Sequence, residues 1–300
     1  MSLAQRLAET AALVDERLNA RLAPTTCPDT PPRLLEAMRH AVLGGGKRFR
    51  PFLVLETAAL LDVPPSAAID AAVALECVHC YSLAHDDLPA MDNDELRRGR
   101  PTVWKAFDDW TAILAGDALL TLAFEILTDP ATHADAAVRS ALARELARAS
   151  GHAGMVGGQA MDLEADKLGQ PPSPSRDHIL RLQAMKTGAL IVFAARVGAI
   201  LAKAGPEVHD ALAAYGRQLG LAFQIADDLL DAEGDAAIVG KAVAKDAERG
   251  KATVISTMGV AAARRLLDEV EAEAVAALAP FGDKADMLRE AARFVARRKH

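Results

Sequence analysis

Apolar residues recur at helical spacing along most of the chain. The first segment carries them on one face of a helix, at Leu3, Leu7, Ala11, Val14, Leu18 and Leu22. The same reasoning predicts helical segments over residues 33–43, 51–61, 67–85, 111–127, 134–150, 176–203, 206–231, 254–278 and 284–300. A glycine-rich interruption is expected from Gly151 to Gly158. No stretch alternates β-branched residues at period two for long enough to suggest a strand, so the sequence predicts an all-α protein.

Length and composition favour one large folded unit. The 300 residues are 51% hydrophobic, and since no linker forces a division, we predict a single domain over residues 1–300. Residues 1–12 lack the uninterrupted apolar core of a signal peptide, and no segment is expected to reach the length of a membrane span. We therefore expect a soluble, cytoplasmic protein without stable membrane insertion. The three cysteines, an odd number in a large chain, do not predict a disulfide framework.

The charge balance limits the partners. Lys and Arg together number 34 against 41 Asp and Glu, a net charge of −7, which argues against a nucleic-acid partner held by a broad basic surface. Any anionic ligand must therefore be bound by cations placed close to it.

A first acidic cluster follows the long helix predicted over residues 67–85. Four Asp side chains crowd into the twelve residues from 83 to 94, and carboxylates at the end of a buried segment are costly unless cations sit there. Asp86 shares a helical stripe with His79 and Ser82. Pro89 should end or distort the helix and let the chain bring Asp92 back beside Asp86. The stretch therefore indicates a divalent-metal site.

A second acidic cluster lies in the helix predicted over residues 206–231. Its polar face is a narrow stripe on an otherwise apolar helix, formed by Gln224, Asp227, Asp228 and Asp231. Asp227 and Asp231 are spaced i, i+4, so they can offer oxygens to one cation or bracket two. Both clusters offer oxygen ligands, which favours Mg²⁺ over zinc or copper, and carboxylate-held Mg²⁺ usually also binds substrate phosphates.

Basic residues accompany the acidic clusters. Lys47 and Arg50 follow a triple glycine whose amides can approach a ligand, although a helix end followed by surface cations explains that segment equally well. Lys186-Thr187-Gly188 interrupts an apolar helix. Other cations stand close to the carboxylates, namely Arg97, Arg98, Lys241 and Lys251. A plain metal-binding structural protein would explain the carboxylates and leave these cations without a role.

Five ordered motifs resemble those of trans-polyprenyl diphosphate synthases, most of all the bacterial farnesyl diphosphate synthases (geranyltranstransferases). They are Gly-Gly-Lys-Arg-Phe-Arg-Pro at 45–51, Asp-Asp-Leu-Pro-Ala-Met-Asp at 86–92, Arg-Arg-Gly at 97–99, Lys-Thr-Gly at 186–188 and Phe-Gln-Ile-Ala-Asp-Asp-Leu-Leu-Asp at 223–231. The resemblance extends from about residue 35 to residue 253. Gly158-Gln159-x-x-Asp162 also matches the family, without an assigned role. Ala244 departs from it, standing where the family usually has Gly.

The resemblance implies a bundle of about ten core helices around a deep central cavity, usually as a homodimer. It also implies that the two Asp motifs face each other across the cavity mouth and hold three Mg²⁺ ions on the diphosphate of an allylic substrate. The principal metal ligands would be Asp86, Asp92 and Asp227. The supporting ligands would be Asp87, Asp228 and Asp231.

The same resemblance assigns the cations to two isoprenoid diphosphates. Isopentenyl diphosphate would be bound by Lys47, Arg50, His79 and Arg98. The allylic diphosphate would be bound by Arg97, Lys186, Thr187, Gln224, Lys241 and Lys251. The implied reaction is ionisation, condensation and elimination, with Lys186, Thr187 and Gln224 as catalytic residues and (2E,6E)-farnesyl diphosphate as product.

Product length is expected to depend on Tyr81, five residues before Asp86, where an aromatic in the bacterial family members is associated with stopping at fifteen carbons. Ser82 is small and leaves room above it. Geranyl (C10) and geranylgeranyl (C20) diphosphate synthases remain alternatives. A terpene cyclase would need only one diphosphate site, and a silent partner subunit would be expected to have lost an Asp motif.

Overall fold

A computed structural model describes residues 1–233 and 254–297. Its internal packing divides into two compact units, one of residues 1–144 with 197–203 and the other of residues 145–196 with 204–300. The single-domain assignment remains a prediction. Lys241, Ala244 and Lys251, together with the last three residues, lie outside the described part of the chain.

The first unit is built around one long buried helix. Its elements are α1 (Leu3–Arg21), α2 (Pro32–Val42), α3 (Phe49–Leu60), α4 (Pro65–Asp86), the short α5 (Val103–Ala106), α6 (Asp109–Thr128) and the first part of α7 (Ala136–Ser150). Helix α4 packs against α3 on one side and α6 on another. Because most of its residues are buried, α4 can be apolar nearly all round.

A small β-ribbon interrupts the helical pattern between α4 and α5. Strand β1 (Leu96–Arg97) pairs antiparallel with β2 (Arg100–Pro101), and Arg97 lies opposite Arg100. Arg98 and Gly99, between the strands, have φ values of 54° and 74°, which suits a two-residue hairpin turn. The protein is all-α as predicted, and this ribbon of four residues escaped prediction because it is too short to show alternation.

The second unit contains α8 (Met155–Leu168), α9 (Arg176–Gln183), a π-helical turn (Ala184–Gly188), α10 (Ala189–Leu201, whose last residues belong to the first unit) and α11 (Pro206–Glu233). After the undescribed residues come α12 (Val254–Met258), α13 (Val260–Ala277), a 3₁₀ segment (Ala279–Ala285) and α14 (Asp286–Arg297). Helix α11 packs along α13. The buried Tyr215 hydroxyl donates to the Leu288 carbonyl at 2.8 Å and ties α11 to α14.

The glycine-rich interruption predicted from Gly151 to Gly158 ends earlier in the structure. Helix α8 begins at Met155 and runs through Gly157 and Gly158. A Cβ on Gly158 would overlap the backbone of Lys186. Gly158 is therefore a point of close helix approach within a helix, and the prediction that it belongs to a break was wrong.

The expectation that no segment reaches the length of a membrane span was also wrong. Three helical segments are long and apolar enough by length and composition, Pro65–Asp86, Asp109–Thr128 and Arg176–Leu201. The most apolar windows of the first and third are 78% and 61% buried inside the protein, whereas that of Asp109–Thr128 is 44% buried. The apolar character of the first and third segments reflects packing in the core. Helix α6 is the segment whose apolar window is less than half buried. All three cysteines are free thiols, as the odd count predicted.

Candidate active site

The first Asp motif is a tight turn at the end of α4. The Asp92 amide donates to the Asp86 carbonyl at 2.8 Å, and the Asp94 amide donates to the Asp87 carbonyl at 3.1 Å. The prediction that the chain brings Asp92 back beside Asp86 is confirmed. Both residues are half-buried, so each keeps some exposed surface.

Asp87 is bound by Arg97. The Asp87 carboxylate is buried and accepts from Arg97 Nε at 2.8 and 3.0 Å. Burial raises the pKa of Asp87, and the hydrogen bonds from Arg97 oppose that rise. This pairing with Arg97 is compatible with the supporting role that the resemblance implies for Asp87. The pair also fixes Arg97 beside the motif, with a third of its side chain exposed.

The triple glycine leads into a loop held by a buried arginine. Arg48 has a left-handed backbone with φ 45°, and its side chain has no exposed surface. Its guanidinium donates to Glu76 at 2.7 Å, to Asp15 at 2.9 Å and to the Val42 carbonyl. These bonds fasten the loop to α1, α2 and α4. Its neighbour Lys47 is exposed.

The residues predicted to bind isopentenyl diphosphate gather around this loop. The Arg98 guanidinium donates to the Gly45 carbonyl and lies so close to Gly46 that a Cβ there would overlap it. Arg50 Nη1 lies 3.5 Å from His79 Nε2. Burial, followed by the charges of Arg50 and Arg98, holds the pKa of His79 well below its usual value. His79 is therefore neutral at pH 7 and adds a polar group without a further charge.

Lys186 and Thr187 lie in the π-helical turn between α9 and α10. Such turns insert one extra residue into a helix and are frequent at functional sites. Lys186 Nζ donates to Asp162 Oδ2 on α8 at 2.6 Å. On the other side, Gly188 and Gly220 let the turn approach α11 closely, because a Cβ on Gly220 would lie 2.9 Å from the Gly188 Cα.

This arrangement gives a role to part of the Gly-Gln-x-x-Asp pattern that the sequence left unassigned. The Asp162 carboxylate binds Lys186. Gly158 leaves space for the backbone of Lys186. Gln159 is 9% exposed, and neither polar atom of its amide has a hydrogen-bond partner within the described residues. The contacts of the described residues therefore assign roles to Gly158 and Asp162 and none to Gln159.

The second Asp motif lies on the stripe that the sequence predicted. Gln224, Asp227 and Asp228 are half-buried, whereas the neighbouring Ile225, Ala226 and Leu229 are buried. Asp228 Oδ2 accepts from Gln183 Nε2 at 3.3 Å and from the Val254 amide at 3.0 Å. Asp228 thus links α9 and α12, which fits a supporting role. The side chain of Asp231, like Lys241 and Lys251, lies outside the described residues.

Tyr81 is a buried residue of α4 that contacts His85. Its side chain is 5% exposed and meets the His85 ring edge-on, with centroids 5.7 Å apart. His85 Nε2 lies 2.9 Å from the Ile113 carbonyl, and a Cβ on Gly116 would overlap the ring. Burial raises the pKa of Tyr81 to about 12. Ser82 Oγ donates a hydrogen bond to the His79 carbonyl at 2.8 Å. His85 and Gly116 were not predicted to support Tyr81, because only the packing of α6 reveals their part.

The donors at both motifs suit a hard divalent cation in kind. Asp86, Asp92 and Asp227 supply carboxylate oxygens, which Mg²⁺ prefers, and Mg²⁺ commonly completes its shell with water and substrate phosphates. Within residues 1–233 and 254–297, no group of three or more His, Cys, Asp or Glu side chains forms a metal cluster by itself. The Mg²⁺ assignment and the number of ions remain predictions.

Comparison with known proteins gives a consistent result. A model of the polyprenyl synthetase family matches residues 31–278. The chain is 43% identical to the farnesyl diphosphate synthase of Escherichia coli (strain K12) over 267 residues, covering 88% of this chain and 87% of that protein. It is 44% identical over 261 residues to a probable farnesyl diphosphate synthase of Sinorhizobium fredii, covering 86% and 77% of the two chains. An apo crystal structure of an FPP/GFPP synthase from Zymomonas mobilis is similar at 46% identity, with a TM-score of 0.88 over 98% of each chain.

The buried charges around Arg48 generate a stability prediction. Arg48→Met should lower the free energy of unfolding by about 3–5 kcal/mol, because Glu76 would keep a buried and uncompensated charge. Denaturant titration followed by circular dichroism measures the change. Arg293→Met, at an exposed position of α14, is the matched control and should shift stability by less than about 0.5 kcal/mol. Equal stability of the two variants would contradict the account of the loop.

Proposed function

Because the chain belongs to the polyprenyl synthetase family, we propose that it is a Mg²⁺-dependent prenyltransferase. It condenses isopentenyl diphosphate with dimethylallyl or geranyl diphosphate and forms (2E,6E)-farnesyl diphosphate. The observation that carries the proposal is the group of Lys47, Arg50 and Arg98 beside neutral His79. This group offers a cationic site for a second diphosphate in addition to the Asp motifs. The names of the Escherichia coli and Sinorhizobium fredii relatives support the fifteen-carbon product.

The proposed metal ligands are Asp86, Asp92 and Asp227, with Asp87, Asp228 and Asp231 in support. Three Mg²⁺ ions are expected with the allylic diphosphate bound. Arg97 holds Asp87, and Gln183 and the Val254 amide hold Asp228, which is compatible with supporting roles for these two carboxylates. When bound, Mg²⁺ neutralises charge that develops on the departing diphosphate.

The chain's own residues orient the two substrates and stabilise charge. Arg97 and Lys186, each fixed by a carboxylate, bind the allylic diphosphate, while Lys47, Arg50 and Arg98 bind isopentenyl diphosphate. The allylic C–O bond breaks and leaves a carbocation, the double bond of isopentenyl diphosphate attacks it, and one proton leaves to the released diphosphate. Thr187 Oγ and the Gln224 amide direct dipoles at the cation without capturing it. Apolar walls exclude water, which would otherwise quench the cation.

The alternative enzyme classes fit the described residues less well. A terpene cyclase needs one diphosphate site and would leave the cations Lys47, Arg50 and Arg98 without a role. A silent partner subunit would be expected to lack one of the Asp motifs, and both are present. Product length is less constrained, because the Zymomonas mobilis structure carries a name with two products, FPP and GFPP. Geranyl and geranylgeranyl diphosphate remain the alternative products.

We further propose a soluble, cytoplasmic homodimer. Helix α6 exposes an apolar stripe at i, i+3 and i+4 spacing, in which Trp110, Ile113 and Leu114 are 59%, 43% and 47% exposed. Large neighbouring apolar side chains on a surface mark interaction sites more often than chance. A second copy of the chain would cover this stripe and complete the burial of α6.

The direct test of the proposed function is chain elongation with both Asp motifs varied. Incubation of the wild type with isopentenyl diphosphate, geranyl diphosphate and Mg²⁺ should yield a fifteen-carbon diphosphate, and chelation should stop the reaction. Asp86→Ala and Asp227→Ala should each lower kcat by at least about 100-fold, because each removes a ligand that stabilises the leaving group. Product quantification by mass spectrometry measures the loss.

Asp177→Ala, at an exposed position of α9, is the matched control and should keep wild-type turnover. Circular dichroism of all three variants checks that the fold is retained. Turnover that is indifferent to chelation, or near-normal rates for Asp86→Ala and Asp227→Ala in the folded state, would refute the metal assignment.

Product length should respond to the aromatic ring at position 81. Tyr81→Ala opens space beside His85 and should shift the main product beyond fifteen carbons, because the growing chain would meet no floor there. Tyr81→Phe keeps the ring and should keep the product. Chromatographic sizing of the dephosphorylated products compares the two. An unchanged product from Tyr81→Ala would place the floor elsewhere.

The oligomeric proposal predicts that charge on α6 separates the copies. Ile113→Asp should convert a dimer into a monomer in sedimentation velocity, because a carboxylate would be buried without a partner. The exposed Val156 of α8 offers the control Val156→Asp, which should remain a dimer. A wild type that sediments as a monomer would rule out the homodimer.

A further inference from the structure

The second unit contains a cavity that the proposed reaction does not use. Its volume is about 590 Å³, and it is lined by residues of α7, α9, the π-helical turn, α10 and α11. Small-molecule sites commonly measure about 300–1,000 Å³. Among the described residues, none of the Asp side chains of the two motifs lines it. Leu180, Val192, Phe193 and Leu221 give it an apolar wall.

The polar side of the cavity carries an excess of positive charge. Arg148, Arg196 and Arg217 line it, and Glu145 is the one acidic residue among the described residues of the lining. Glu145 accepts from Arg148 at 3.1 Å and from Arg196 at 2.8 Å, so one carboxylate is shared by two guanidinium groups. The third arginine, Arg217, is exposed. An anionic group would balance this excess charge.

Two buried polar atoms in the lining have no hydrogen-bond partner in the part of the chain that the structure describes. Gln183 is 7% exposed, and its Oε1, like Nε of Arg196, has no hydrogen-bond partner within the described residues. Buried polar atoms are satisfied in the great majority of cases, by protein or by a bound molecule. Both residues line the cavity, so an occupant with polar atoms could satisfy them.

Gln183 also connects the cavity to the second Asp motif. Its Nε2 donates to Asp228 Oδ2, which in turn accepts from the Val254 amide at the start of α12. An occupant that bonds to the Gln183 amide changes the hydrogen bonding of Asp228 without touching the motif. The cavity and the motif are therefore linked by one side chain.

We propose that this cavity is a second ligand site, for a molecule that combines an apolar chain with a phosphate or carboxylate head group, and that its occupancy is communicated through Gln183 to Asp228. The apolar wall binds the chain, and the arginines bind the head group. Binding itself is independent of the proposed prenyltransferase activity, while the effect on turnover rests on that activity.

Isothermal titration calorimetry below the critical micelle concentration tests the site, with dodecyl phosphate and dodecanoate as anionic probes and dodecanol as the neutral one. One equivalent of an anionic probe should bind, and dodecanol should bind at least about tenfold more weakly because it lacks the charge. Tighter binding of dodecyl phosphate would identify a phosphate ligand, and tighter binding of dodecanoate a fatty acid; either result supports the site. No saturable binding of any probe would overturn the proposal.

Variants place the binding within the cavity. Arg217→Glu should weaken the anionic probes at least about tenfold by reversing one charge, while Arg293→Glu on α14 should bind like the wild type. Val192→Trp, which fills the cavity, should also abolish binding. Since Arg217 is exposed, its variant should fold even if Val192→Trp does not. Equal affinity of Arg217→Glu and Arg293→Glu would show that the probes bind elsewhere and would overturn the assignment.

The link to Asp228 has its own readout. Bound dodecyl phosphate should change kcat or KM for geranyl diphosphate in the wild type and leave Arg217→Glu unaffected at the same concentration, with equal basal turnover of both proteins. Unchanged kinetics of the wild type with the probe bound would overturn the link. If the protein shows no prenyltransferase activity at all, the calorimetric result still decides whether the cavity binds a ligand.

Discussion

Cationic side chains at the candidate active site depend on carboxylates that are themselves shielded from water. Three such pairs recur, Arg48 with Glu76, Arg97 with Asp87, and Lys186 with Asp162. In the proposed reaction two diphosphates are brought together and repel each other, so the cations proposed to bind them, such as Arg97 and Lys186, need fixed positions. Arg48 contributes indirectly, because its buried side chain fastens the loop that carries Lys47. A buried carboxylate fixes a cation at the cost of desolvation, and this cost is tolerable only where the hydrogen bonds are complete.

Close approach at glycines is a second requirement of the candidate-site residues. Gly46 leaves space for Arg98, Gly158 for Lys186, and Gly116 for His85. In each case a methyl group at the glycine would displace the functional side chain or its support. His79 is kept neutral because burial, and then the positive charge of Arg50, lower its pKa. Within each unit, cations are paired with carboxylates, and glycines leave space for larger neighbours.

Much of this arrangement could be predicted from local pattern. The turn that returns Asp92 to Asp86 followed from Pro89, and the narrow polar stripe of α11 followed from helical spacing. The pairing of Arg48 with Asp15 and Glu76 could not be predicted, because it joins residues that are 33 and 28 positions apart. The glycines of α8 were misread because the sequence does not distinguish a glycine that breaks a helix from one that admits a neighbour. The membrane-length helices were missed because a core helix and a spanning helix have the same composition.

The central claim is that the two Asp motifs bind the divalent ions that activate a diphosphate. Crystals soaked with Mn²⁺ and inorganic diphosphate, with data collected on both sides of the manganese absorption edge, test it most directly. The account predicts anomalous peaks about 2–2.3 Å from carboxylate oxygens of Asp86, Asp92 and Asp227, with diphosphate oxygens completing the coordination. Anomalous peaks confined to other carboxylates, or diphosphate bound with no metal at either motif, would contradict it.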